Sequence, residues 1–174
     1  MYLGRPLPHK NLWRLIEAFA LLRRQHPDLL LVLAGKKDVA YDLIQQHAKE
    51  KGLDKGLIFT GFVSEGEMKW LYLHCQAYIF PSLSEGFGLP ALEATLNGAP
   101  IASSDATCLP EVYGDGAHYF DPLNVDDIAE KINDILTDEK LRKHLIAAGK
   151  KQAAKYSWKR MAEQTLAVYN KTLS

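Results

Sequence analysis

The residues best suited to chemistry in this 174-residue chain stand together in Glu85-Gly86-Phe87-Gly88-Leu89-Pro90-Ala91-Leu92-Glu93. Two carboxylates bracket a glycine-bearing loop, and the small residues let a ligand come close to the backbone. Pro90 suits the first position of a helix because its ring fixes φ and it has no N–H to leave unpaired. Gly98 suits the residue just past that helix's end. Free N–H groups and the positive end of the helix dipole make such a start attractive to an anion. Carboxylates repel phosphate but accept hydrogen bonds from hydroxyls strongly. A ligand carrying both phosphates and vicinal hydroxyls uses the whole set, with phosphate on the backbone N–H groups and diols on Glu85 and Glu93. A nucleotide sugar is such a ligand. Either glutamate alone is explained as readily by charge complementing a helix start.

The elements around this stretch alternate. Tyr2-Leu3-Gly4 reads as the stub of a first strand, and Asn11 to Gln25 as a helix with Leu12, Leu15, Ile16, Phe19 and Leu22 at helical spacing. A buried strand over Leu29–Ala34, a helix over Tyr41–Lys51 and a strand over Leu57–Thr60 follow. A helix over Glu65–Cys75 is next, with Ser64 as its N-cap. Ala77–Phe80 is the strand before the motif. Strands over Pro100–Ser103 and His118–Phe120 come after it, and helices over Asp126–Leu136, Glu139–Tyr156 and Trp158–Leu173 close the chain. This order predicts an α/β fold, a Rossmann-like parallel sheet of about six strands with helices on both faces. Ligands in such sheets sit beyond the carboxyl ends of the strands, where strand order reverses. In the order 3-2-1-4-5-6, the loops after strands one and four share that crevice. The first carries the cations Arg5 and Lys10, and the second carries Glu85.

Further segments complete a pattern. Gly4-Arg5 with Lys10-Asn11, Thr60-Gly61-Phe62-Val63, Phe80-Pro81-Ser82, Leu109-Pro110-Glu111-Val112 and Tyr156-Ser157-Trp158 stand in order around the Glu85–Glu93 motif. Together they resemble the donor-binding, C-terminal half of retaining GT-B glycosyltransferases, notably family 4 (group 1), and the likeness covers nearly the whole chain. The resemblance implies a nucleotide-diphosphate sugar as donor and a glycan or lipid-linked acceptor. It implies Arg5 and Lys10 on the phosphates, Glu85 beside the donor sugar, and Glu93 on the ribose hydroxyls. It further implies Gly4, Gly86, Phe87, Gly88 and Leu89 close to phosphate and sugar, and Val63 against the base. No Asp-x-Asp pair occurs, so no metal and no further cofactor are expected, with arginine and lysine supplying the positive charge. Similarity of the Lys-Asn, Ser-Leu-Ser-Glu-Gly-Phe-Gly and Leu-Pro-Glu-Val segments leans toward mannosyltransferases using GDP-mannose, with UDP- and ADP-hexoses open. The resemblance also implies one domain over residues 1–174 with a closing helix over 157–174. The N-terminal acceptor domain is expected to be absent, so that this half alone binds donor without transferring sugar. The closing helix carries Trp158, Met161, Leu166 and Tyr169, an apolar stripe left for that missing half to cover.

Other classes remain open at this point. Gly86-Phe-Gly88-Leu-Pro-Ala91 also fits G-x-G-x-x-A, with Asp105 nineteen residues on, a fingerprint of NAD(P)- or FAD-binding oxidoreductases. Against it, five residues separate Phe80 from the first glycine, and the unit is the fourth strand. A non-catalytic nucleotide-sugar-binding module and a nucleotide-sugar epimerase fit the same residues. His9 lies in the first loop. Asp105 and Glu111 lie near the rim, where a helix cap and a surface helix explain them as well. His118 reads as packing. With 21 basic and 21 acidic residues, bulk charge gives no attraction to nucleic acid or membrane. Cys75 and Cys108 sit in no metal or redox spacing, which suits buried free thiols in a cytoplasmic protein. No signal peptide or membrane span is visible, and any membrane association is expected through the missing half.

Overall fold

The computed structural model describes residues 1–37, 39–53 and 55–173. Strands β1 (Tyr2–Leu3), β2 (Leu31–Ala34), β3 (Leu57–Gly61), β4 (Tyr78–Phe80), β5 (Ile101–Ser104) and β6 (Ala117–Phe120) are joined by helices. These are α1 (Leu12–Gln25), α2 (Val39–Glu50), α3 (Glu65–His74), α4 (Leu89–Leu96) and α5 (Leu109–Tyr113). After β6 come α6 (Val125–Thr137), α7 (Glu139–Ala153) and α8 (Trp158–Leu173). Every strand pairing is parallel.

The expected single sheet is instead two three-stranded sheets, ordered β1-β2-β3 and β4-β5-β6. They abut at β1 and β4, where the Met1 backbone bridges them: its N donates to Ala77 O at 2.6 Å and its O accepts from Ile79 N at 2.8 Å. Continuing that register would require an N–H from Pro81, which has none. The Leu3 carbonyl accepts from the Tyr78 hydroxyl at 3.4 Å instead. The order 3-2-1-4-5-6 therefore holds in space while the ladder breaks at its centre.

Side-chain alternation along the strands makes both sheets one layer. Tyr2, Leu31, Leu33, Ile79, Ala102 and Phe120 face a core closed by α1, α2 and α6. Their neighbours Met1, Tyr78, Phe80, Ile101 and Ala117 face a second core closed by α3, α4 and α5. Period-two alternation with both faces apolar is what a sheet covered on both sides requires. Leu12, Leu15, Ile16, Phe19 and Leu22 are the buried stripe of α1, as their spacing predicts.

Local signals also set helix ends. Ser64 caps α3 in a full capping box, its Oγ accepting from Glu67 N while the Glu67 carboxylate accepts from Ser64 N. Gly98 follows the end of α4 at φ 85°. Several ends differ from expectation: β2 starts at Leu31 and not Leu29, α2 runs Val39–Glu50 and not Tyr41–Lys51, α3 ends at His74 and not Cys75, and α6 runs Val125–Thr137 and not Asp126–Leu136. Leu89 precedes Pro90 as the first residue of α4, and α7 stops at Ala153, short of Tyr156. Helix α8 buries no residue, and Trp158, Met161, Leu166 and Tyr169 are all exposed. Among the described residues no helix is long and apolar enough to cross a membrane.

Candidate functional site

The parallel order brings the loops after β1 and β4 to one rim, and the residues there meet. Lys10 ends a 3-10 turn over Pro8–Lys10, and its Nζ lies 2.5 Å from Glu85 Oε1, a partner 75 residues away in sequence. The two side chains are 19% and 12% exposed. The Lys10 ammonium also stands 5.7 Å from the centroid of the Phe80 ring.

Glu85 is held through its backbone. Its N donates to Thr107 Oγ1 at 3.2 Å, and its carbonyl accepts from the Thr107 hydroxyl and the Cys108 thiol, each at 3.3 Å. Thr107 does this from a left-handed backbone, φ 53°. The carboxylate is thus aimed at Lys10 by two loops at once.

Beyond Glu85 the chain turns into α4 through Gly88, φ 88°. The N–H groups of Gly86, Phe87, Gly88 and Leu89 have no partner among the described residues, so a row of donors is presented at the helix start. Two tyrosines support that start from beneath. The Tyr113 hydroxyl donates to Gly88 O at 2.7 Å and the Tyr72 hydroxyl to Pro90 O at 3.4 Å. Burial pushes both phenols well above the ordinary tyrosine range; the charge of Glu85 adds to this at Tyr113 and that of Glu93 at Tyr72. Tyr2, beneath the first loop, is raised in the same way by burial and then by Glu85. All three stay neutral hydrogen-bond donors.

The remaining predicted residues lie on the same rim at different distances from this pair. Gly4 and Arg5 follow β1, with Arg5 exposed and its carbonyl accepting from the Tyr2 hydroxyl at 3.2 Å. Glu93, one turn into α4, is exposed, and its carboxylate has no partner among the described residues. It lines a groove of about 980 Å³ with Phe87, Leu89, Tyr156, Trp158 and Met161, on the side toward α8. Phe87 meets Tyr156 edge-on there, ring centroids 5.3 Å apart. Val63 is half-buried after β3, at the outer edge of the first sheet.

Several expectations change. Asn11 does not open α1 helically; it stands in a left-handed conformation just before it, φ 59°. Its amide leaves the helix uncapped and donates to Pro81 O at 3.0 Å and Pro122 O at 2.7 Å. Asp105 caps nothing, since α5 begins after Cys108. Cys75 and Cys108 are free thiols but only half-buried. His118, read as packing, instead pairs through its ring Nε2 with the Asp134 carboxylate of α6 at 2.9 Å. His9 offers its backbone, its carbonyl accepting from Leu83 N at 2.7 Å. Asn11, Thr107, Tyr72 and Tyr113 are site-building residues that the sequence did not single out for it. Only Asn11 gives a local sign, as an asparagine where a turn meets a helix. Among the described residues no three His, Cys, Asp or Glu side chains gather as metal ligands would.

The family model described as "Glycosyl transferases group 1" matches residues 1–152. The chain belongs to the group 1 glycosyl transferases. O-antigen chain mannosyltransferase B of Escherichia coli is 36% identical over 174 residues, covering 97% of this chain and 45% of that protein. MMP alpha-(1->4)-mannosyltransferase of Mycolicibacterium hassiacum is 33% identical, covering 97% of this chain and 41% of its own length. The chain thus spans less than half the length of these relatives. Among solved structures, the C-terminal domain of a group 1 glycosyl transferase from Francisella tularensis superposes with a TM-score of 0.76 at 27% identity, covering 89% of this chain and 82% of that one. Sucrose-phosphate synthase from Thermosynechococcus elongatus gives a TM-score of 0.87 at 24% identity over 99% of this chain and 45% of its own, a likeness of fold. The fold is the GT-B C-terminal domain of group 1 glycosyl transferases, and the G-x-G-x-x-A spacing is part of that fold: the residues between Phe80 and Gly86 form the Glu85 loop instead of a dinucleotide turn.

Proposed function

We propose that this chain is the donor-binding part of a retaining glycosyltransferase that takes a hexose from a nucleotide-diphosphate sugar to a hydroxyl of a glycan or lipid-linked acceptor. The observation that carries this reading is the meeting of Lys10 and Glu85 beside the unpaired N–H groups of Gly86, Phe87, Gly88 and Leu89. A cation and a row of backbone donors suit a diphosphate, and a carboxylate in the same place suits sugar hydroxyls. Arg5, on the loop of Lys10, adds a second cation. In the reaction these groups oppose the charge that grows on the departing diphosphate, which lowers the barrier to its leaving. Glu93 takes the ribose diol and Val63 lies against the base. The charge is supplied by protein side chains, so we assign no metal or other cofactor to the site.

The donor we favour is GDP-mannose. The matched Lys-Asn, Ser-Glu-Gly-Phe-Gly and Leu-Pro-Glu-Val segments support it, as do the names of the mannosyltransferases 36% and 33% identical to this chain. An acceptor-binding domain completes the enzyme. We assign the protein to the cytoplasm, a setting that suits its two free thiols.

The test is a calorimetric screen of GDP-mannose, UDP-glucose and ADP-glucose with NADH as control. Binding of a nucleotide sugar in preference to NADH is expected. Binding of NADH with no response to any nucleotide sugar would overturn the reading.

A further inference from the structure

We propose that Asn11 is a positioning residue of the diphosphate site: it fixes Lys10 against the Glu85 loop, and a bound nucleoside diphosphate feels its loss through Lys10. This rests on the donor-site reading above. Asn11 is 2% exposed and holds a left-handed backbone, φ 59° and ψ 32°, which asparagine and glycine tolerate best. In that conformation the side chain caps no N–H of α1, and its amide NH2 reaches across the rim. Both Nδ2 hydrogens are used, on Pro81 O at 3.0 Å and Pro122 O at 2.7 Å, and Oδ1 accepts from Arg14 Nη1 at 3.0 Å. The loops after β1, β4 and β6 therefore meet on one buried amide. Leu83 N donating to His9 O at 2.7 Å ties the first two together a second time.

Lys10 lies between these two ties in the chain, and its Nζ reaches Glu85. A lysine side chain is a flexible stem with a point charge at its end. Where that charge rests is decided by where its backbone is held. A purely structural role for Asn11 would lower stability and weaken every ligand alike. A positioning role weakens the ligand that Lys10 contacts and spares the one it does not.

Asn11→Gly keeps the left-handed backbone and removes the amide. Asn11→Asp keeps the shape but sets an acceptor against two carbonyls. GDP with guanosine, and UDP with uridine, are titrated into the wild-type chain, each Asn11 variant, Lys10→Ala and the two double variants. Each Asn11 variant is expected to weaken the diphosphate about tenfold, the scale of one charge-assisted hydrogen bond. The nucleoside should change by less than about twofold, and with Lys10 already removed the diphosphate should change no further than that, because coupled residues are not additive. Equal losses for nucleoside and diphosphate, or the full loss persisting in the Lys10→Ala background, would overturn the proposal. Asn11→Asp and its double variant decide alone if Asn11→Gly does not fold. A wild-type chain that binds neither diphosphate overturns the donor-site reading itself. A wild-type chain whose diphosphate affinity depends on Lys10 but not on Asn11 overturns only the present proposal.

Discussion

At the scale of the residue, the site is a meeting of opposite charges whose partners lie far apart in the chain. Lys10 and Glu85 were both named as candidates from the sequence, and the structure brings the two side chains together. What held them was not legible. Asn11 reaches carbonyls 70 and 111 residues away, and Thr107 reaches the backbone of Glu85 across 22 residues. No local pattern encodes which carbonyl or N–H a side chain will meet across two loops. Glu93 carries the clearest single-residue prediction. It is exposed and has no partner among the described residues, so Glu93→Ala should leave the melting temperature nearly unchanged. Nucleoside affinity should fall by about 1.5–3 kcal/mol, the scale of a hydrogen bond to a charged group. The loss should vanish for a 2′,3′-dideoxynucleoside, which has no diol to offer. Calorimetry showing the same loss for both would place Glu93 elsewhere than on the ribose.

At the scale of the element, the strongly patterned helices and their signals read true: the apolar stripe of α1, the N-cap at Ser64, and the glycine after α4. The break between β1 and β4 was hidden although its cause, Pro81, is in plain view. A proline without an N–H matters only once the neighbouring strand and register are known. The start of α4 depends on Gly88 for two separate reasons. Its φ of 88° disfavours a side chain, and a Cβ there would come within 2.0 Å of the Tyr113 hydroxyl. Gly98 shares the first reason, with φ 85°, but its nearest neighbour would be the Lys150 ammonium at 4.0 Å. Gly98→Ala should therefore cost about 1 kcal/mol from the backbone alone, and Gly88→Ala about 1–3 kcal/mol more. Urea denaturation of the two variants measures the difference. Equal costs would mean that Tyr113 yields freely and does not support the helix start.

At the scale of the whole molecule, two apolar cores on either side of one broken sheet carry the fold, and tyrosines run through both. Tyr2, Tyr41, Tyr72, Tyr78, Tyr113 and Tyr119 are all raised above the ordinary tyrosine value, burial being the first cause in each. In the folded chain these phenols keep their protons where the unfolded chain loses them. Their contribution to stability is thus complete below about pH 10, the unfolded value, and is lost as pH rises from there toward the folded values. Tyrosinate absorbance of the buried phenols should rise together with loss of circular dichroism on the alkaline side. Ionisation of all the tyrosines near pH 10 with the fold intact would contradict this. The central claim is that the crevice between the loops after β1 and β4 is a diphosphate site. Its most direct test is calorimetric titration of GDP and guanosine, and of UDP and uridine, into the wild-type chain, Lys10→Ala and Arg5→Ala. The diphosphate should bind more tightly than the nucleoside to the wild-type chain, with an affinity that falls as salt rises. Each substitution should weaken the diphosphate while leaving the nucleoside nearly unchanged. A wild-type chain that does not distinguish diphosphate from nucleoside, or variants that lose both equally, would contradict the account.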